Sequence, residues 1–108
     1  MSVNEWTREE WEQVKNAPSL SLLYIYTPMC GTCQVASKMM QVINEVVTYP
    51  IGQANINYLE NLAMEYEIES VPCLLISKNG IVIKKIYAFQ SVPYLLDVIK
   101  SIDGTVLT

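Results

Sequence analysis

Apolar side chains recur along this chain in two rhythms, and the switches between them mark out its elements. Leu20-Ser21-Leu22-Leu23-Tyr24-Ile25-Tyr26 is almost continuously apolar and rich in β-formers, the pattern of a strand covered on both faces. It predicts a central parallel strand. From Cys33 onward, Val35, Met39, Val42, Ile43 and Val46 recur at helical spacing. They predict a long helix that ends before Tyr49-Pro50, because the residue ahead of a proline is steered out of the helical region. Ahead of the strand, Thr7 with Glu10 forms a capping box, and Trp6, Trp11 and Val14 share one face of a helix running to about Lys15. Asn16-Ala17-Pro18 ends it.

The second half continues the alternation. Ala54 and Ile56 predict a short strand, and Leu59, Leu62, Ala63 and Tyr66 a short amphipathic helix. Cys73–Ser77 and Ile81–Ile86 flank Lys78-Asn79-Gly80, and Asn-Gly between apolar runs is a strong hairpin signal, so these strands should be antiparallel neighbours. Ser91 to Ile102 closes the chain with Leu95, Val98, Ile99 and Ile102 on one stripe and Pro93 in the first turn. The order is β-α-β-α-β-β-α, preceded by one helix.

No repeat, linker or low-complexity stretch interrupts this series, and 108 residues that are 51% hydrophobic suffice for one core. A single domain over residues 1–108 is expected. The 11 acidic and 7 basic side chains leave a net charge of -4 with no basic cluster beyond Lys84-Lys85, which argues against a nucleic-acid partner. The N-terminus lacks the basic and apolar regions of a secretory signal, and the Leu20–Tyr26 run is far shorter than the roughly 20 residues of a membrane span. A soluble, cytoplasmic protein with no membrane partner is expected.

The chemistry-bearing residues are Cys30, Cys33 and Cys73. An odd number of cysteines without an export signal argues against a disulfide framework and leaves reactive or metal-binding thiols. The chain has no histidine, so Cys-His catalysis and imidazole-bearing zinc sites are excluded. Cys30-Gly31-Thr32-Cys33 falls where a buried strand meets a long helix. Unpaired N–H groups and the helix dipole stabilise a thiolate there, so the Cys30 pKa should lie below that of free cysteine. Two intervening residues let Cys33 reach the Cys30 sulfur once a mixed disulfide has formed, and Gly31 permits the close approach. A CxxC metal or iron-sulfur site at a subunit interface is an alternative. It would need carboxylates or a second subunit to complete four ligands. Cys73 begins a strand and reads as a small core hydrophobe.

Three segments together carry a family resemblance: Tyr26-Thr27-Pro28-Met29-Cys30-Gly31-Thr32-Cys33, Tyr66-Glu67-Ile68-Glu69-Ser70-Val71-Pro72, and Lys78-Asn79-Gly80 with its following strand and helix. The sequence resembles thioredoxin over about residues 6 to 102. The resemblance implies a thioredoxin-like α/β three-layer sandwich with a mixed central sheet of about four strands, its first edge strand short or missing. It also implies a cis-proline at Pro72 facing the dithiol, with the Val71 backbone free to pair with an extended substrate. Met29 stands where the family has tryptophan, Thr32 where it has proline, and Tyr24 where it has a buried aspartate that assists the second thiol.

The expected activity is thiol-disulfide exchange by a cytosolic disulfide reductase. Cys30 is its nucleophile and Cys33 its resolving thiol, while Met29, Gly31, Thr32, Val71 and Pro72 bind substrate. No cofactor or metal is required. The expected partners are disulfide-containing proteins and an electron donor that is either thioredoxin-reductase-like or a low-molecular-weight thiol. A non-catalytic peptide-binding or redox-sensing module is the alternative that the Tyr24 and Met29 departures keep open.

Overall fold

The computed structural model describes residues 3–103, so the ends of the expected 1–108 domain lie outside the described residues. In chain order the elements are β1 (Asn4–Glu5), α1 (Arg8–Val14), β2 (Ser21–Tyr26), α2 (Gly31–Val46), β3 (Ile51–Asn55), a short 3-10 turn (Ile56–Tyr58), α3 (Glu60–Glu65), β4 (Cys73–Lys78), β5 (Ile81–Ile86) and α4 (Val92–Asp103). The strands form one mixed sheet in the order β1-β3-β2-β4-β5. β2 runs parallel to β3 and antiparallel to β4, and β5 is antiparallel to β4. The sheet has five strands rather than about four, because Asn4 and Glu5 pair in parallel with Gly52 and Gln53. Those two residues carry no apolar alternation, so only backbone pairing reveals the edge strand.

β2 occupies the middle of the sheet, and its alternating side chains anchor a separate core on each face. Leu22 and Tyr24 join Ala36, Met40 and Ile43 of α2 and Leu95 and Ile99 of α4. Leu23 and Ile25 join Trp11 of α1 and Leu62 of α3 on the other side. With Leu22, Leu23, Tyr24 and Ile25 all 0% exposed, this strand has no solvent face, which explains its unbroken apolar run.

β3 begins at Ile51 instead of Ala54, and Ile56 belongs to the 3-10 turn. The start was hidden by Gly52. A Cβ there would fall inside the Trp6 indole, so glycine is required where the ring lies flat against the strand and stacks on Trp11 with centroids 6.3 Å apart. Thr7 and Glu10 form the full capping box of α1.

The β4–β5 turn has Asn79 at φ 56° and Gly80 at φ 84°, the two left-handed residues of a tight hairpin. Its amides also donate to the end of α1, Asn79 to the Ala17 carbonyl at 3.0 Å and Gly80 to that of Lys15 at 2.8 Å. A Cβ on Gly80 would lie 2.6 Å from Asn16 Oδ1. Gly80→Ala is therefore expected to cost about 1–2 kcal/mol, the ordinary penalty for an L side chain in the left-handed region. Urea denaturation should show a lower midpoint at unchanged slope; an unchanged midpoint would show that the turn imposes no such constraint.

Candidate active site

β2 ends at Tyr26, and four residues later the chain enters α2 through Cys30. Cys30 is the N-cap, extended at φ -110° and ψ 114°, and its sulfur accepts the backbone N–H of Cys33 at 3.1 Å. The Thr32 hydroxyl lies 3.2 Å from the same sulfur. A sulfur thus fills the capping role usually taken by a serine or aspartate oxygen. Negative charge on it is favoured by the unpaired donors and the positive end of the helix.

The two thiols are driven apart in acidity. Hydrogen bonds from the Cys33 thiol and the Thr32 hydroxyl, with help from the backbone N–H groups of both residues, hold Cys30 below the ordinary cysteine value. Cys33 is only 2% exposed, and burial together with its bond to Cys30 pushes its thiol up to about 11. Cys30 is half-buried and reachable, whereas Cys33 is shielded. Cys73 is fully buried in the α1/α3-side core, and desolvation raises it to about 12. It packs as a small apolar residue there.

The other sequence-predicted site residues sort by position. Val71 and Pro72 come close to the dithiol. The Cys30 thiol faces the Val71 carbonyl at 3.9 Å, and the Val71–Pro72 peptide bond is cis. With Thr32 they wall a groove completed by Val35, Met39 and Phe89. Met29 projects into solvent at 93% exposure and is not part of that wall. Gly31 has open space where a Cβ would stand, so neighbouring atoms do not enforce glycine here.

Tyr87, Ala88, Phe89 and Gln90 also line the groove, and nothing in the sequence marks them as site residues. They lie between β5 and α4 without a motif, and the only local signal, the left-handed Gln90 at φ 58°, cannot be read from its residue type. A second cleft is lined by Cys30 and Cys33 themselves, with Thr27, Gln34, Ser37 and Lys38.

Tyr24 lies directly beneath the site. Its hydroxyl donates to the Cys33 carbonyl at 2.7 Å and accepts from Ser37 Oγ at 3.0 Å. Burial raises its pKa, so at neutral pH the phenol keeps its proton and cannot serve as a base toward Cys33. It ties the first turn of α2 to the central strand instead. Among the described residues, no group of three or more Cys, Asp or Glu side chains is placed to hold a metal ion.

Alkylation by iodoacetamide, followed against pH and read residue by residue by mass spectrometry, is expected to show Cys30 reacting with a midpoint below that of free cysteine. Cys33 should stay silent until the pH approaches its value of about 11. Equal labelling of the two at neutral pH would contradict the geometry.

Comparison with known proteins agrees with this architecture. The Thioredoxin family model matches residues 2–101. The Thioredoxin-like protein YusE of Bacillus subtilis is 51% identical over 80 residues, covering 73% of this chain and 76% of that protein. A thioredoxin of Porphyra purpurea is 35% identical over 83 residues, covering 74% and 78%. Among solved structures, a mutant thioredoxin from Halobacterium salinarum superposes with a TM-score of 0.85 at 21% identity over 97% of this chain and 93% of that one. The chain belongs to the thioredoxin family of thiol-disulfide oxidoreductases.

Proposed function

We propose that this single-domain protein is a cytoplasmic disulfide reductase, with Cys30 as its nucleophile and Cys33 as its resolving thiol. The observation that carries this reading is the capped sulfur. Cys30 accepts the Cys33 N–H at 3.1 Å while its own thiol donates to the Val71 carbonyl at 3.9 Å, so the nucleophile lies beside a backbone acceptor that ionisation of Cys30 releases to an incoming strand. Thr32, Val71 and Pro72 wall the groove beside Cys30, and Met29 and Gly31 flank that cysteine in the chain. They would hold an extended, disulfide-bearing segment of a partner protein.

In the first step the Cys30 thiolate attacks one sulfur of the substrate disulfide, forming a mixed disulfide and releasing the other sulfur as a thiolate that takes a proton from water. Cys33 then gives up its proton and attacks the Cys30 sulfur. The Cys30–Cys33 disulfide forms and the second substrate thiol leaves. The substrate has gained two electrons from the dithiol and two protons, one from Cys33 and one from water. A thioredoxin-reductase-like enzyme or a low-molecular-weight thiol returns the dithiol to its reduced state.

A second reading, a peptide-binding or oxidation-sensing module, draws support from Tyr24. With a protonated phenol rather than a carboxylate beneath Cys33, that position offers the resolving thiol no base to take its proton.

Substitution separates the two. Cys30→Ser is expected to abolish insulin reduction, and Cys33→Ser to accumulate mixed disulfides with partner proteins in cells, visible on non-reducing gels and reversed by dithiothreitol. Insulin reduction that survives Cys30→Ser would overturn the assigned roles. A wild-type protein that binds partners but never turns over would favour the sensing module.

A further inference from the structure

The groove wall beside Cys30 is made by a segment with no regular structure. α3 ends at Glu65, and the chain reaches Val71 and Pro72 through Tyr66–Ser70 before β4 begins. Glu67 turns this corner at φ 52°, in the left-handed position after a helix that glycine usually takes. Local bonds close the helix end, from the Glu67 N–H to the Met64 carbonyl at 3.3 Å and from the Ile68 N–H to that of Ala63 at 2.9 Å. Tertiary bonds then tie the segment's backbone to the sheet side. Lys85 Nζ donates to the carbonyls of Tyr66 at 2.8 Å and Glu67 at 3.3 Å. The Tyr87 hydroxyl donates to the Glu67 carbonyl at 3.4 Å and accepts the Glu69 N–H at 3.2 Å.

Lys85 and Tyr87 are two residues apart, so they project from the same side of the chain as it leaves β5. Between them they engage three backbone groups of the corner, centred on its one left-handed residue. Ile68, Val71 and Tyr87 pack against the same core cluster, which carries any shift of the corner on to the groove. We propose that Lys85 and Tyr87 form a clasp that positions the substrate groove, holding the Tyr66–Glu69 corner so that the Val71 carbonyl and Pro72 present a fixed edge to an incoming protein disulfide. Both are positioning residues: neither is in hydrogen-bonding contact with Cys30 or Cys33, and although Tyr87 lines the groove, its hydroxyl is engaged by the Glu67 and Glu69 backbone. This assignment rests on the groove being the substrate site.

Tyr87→Phe keeps the ring and removes only the hydroxyl. In the full chain it removes both of that hydroxyl's long hydrogen bonds and is expected to raise KM for insulin about fivefold, within their combined worth, with kcat changing by less. Adding Glu67→Gly should bring KM back, because glycine holds the left-handed corner without the clasp. An unchanged KM, an equal loss falling on kcat, or no recovery in the double variant would overturn the proposal.

Amide hydrogen exchange separates this failure from that of the functional reading. If the wild-type protein does not reduce insulin, the reductase assignment fails, and the Glu69–Val71 amides then decide the clasp. Faster exchange in Tyr87→Phe that Glu67→Gly reverses supports it, and unchanged exchange overturns it.

Discussion

The hydrogen bond from the Cys33 N–H to the Cys30 sulfur, 3.1 Å long, is where fold and chemistry meet. A helix start leaves donors that must find a partner, and here the partner is the sulfur itself. Keeping that sulfur in the capping position requires α2 to begin immediately after Cys30, which requires β2 to deliver the chain at the right height. β2 can do so because it is locked between two cores, Leu22 and Tyr24 on one face and Leu23 and Ile25 on the other. Fully burying each large apolar side chain contributes on the order of 1.5–3 kcal/mol, well above the fraction to two kcal/mol typical of a cap. The strand therefore sets the position, and the cap adapts to it.

Beneath the helix start, Tyr24 replaces proton chemistry with geometry. Its hydroxyl is engaged on both sides, donating to the Cys33 carbonyl and accepting from Ser37. The first turn of α2 is thereby fastened to the buried central strand. Burial and the bond to Cys30 leave the Cys33 thiol high, at about 11, and the Tyr24 phenol is no base for its proton. One thiol is lowered by donors and the other raised by burial. In the proposed mechanism this favours attack through Cys30 at neutral pH and makes resolution depend on how readily Cys33 loses its proton once the mixed disulfide has formed.

Much of this was legible in the chain because the constraints were local. The buried β2 run, the Thr7–Glu10 box, the Asn79-Gly80 turn and the stripe of α4 each follow from residue type and spacing, and the CxxC at the strand-to-helix junction located the dithiol. What stayed hidden depends on contacts made across the fold. β1 has two residues and no apolar pattern, so only its pairing with Gly52 and Gln53 defines it. Gly52 resembles a loop residue until the Trp6 ring is laid against it. Tyr87 and Phe89 have no motif and join the groove only because β5 returns beside β4. The left-handed Glu67 could not be foreseen, since glutamate has no preference for that conformation. Met29 beside the first cysteine suggested a groove residue, yet its side chain stands in solvent.

The central claim is that strand, helix and capped sulfur together make Cys30 and Cys33 a reducing dithiol couple. Its most direct test is the redox potential of that couple, measured by equilibrating the full chain in glutathione buffers and quantifying the Cys30–Cys33 disulfide by mass spectrometry. The account predicts a single two-electron transition at or below the potential of a reducing cytosol. A transition tens of millivolts higher, where about 30 mV already shifts the equilibrium tenfold, or no disulfide between the two cysteines at any buffer ratio, would contradict it.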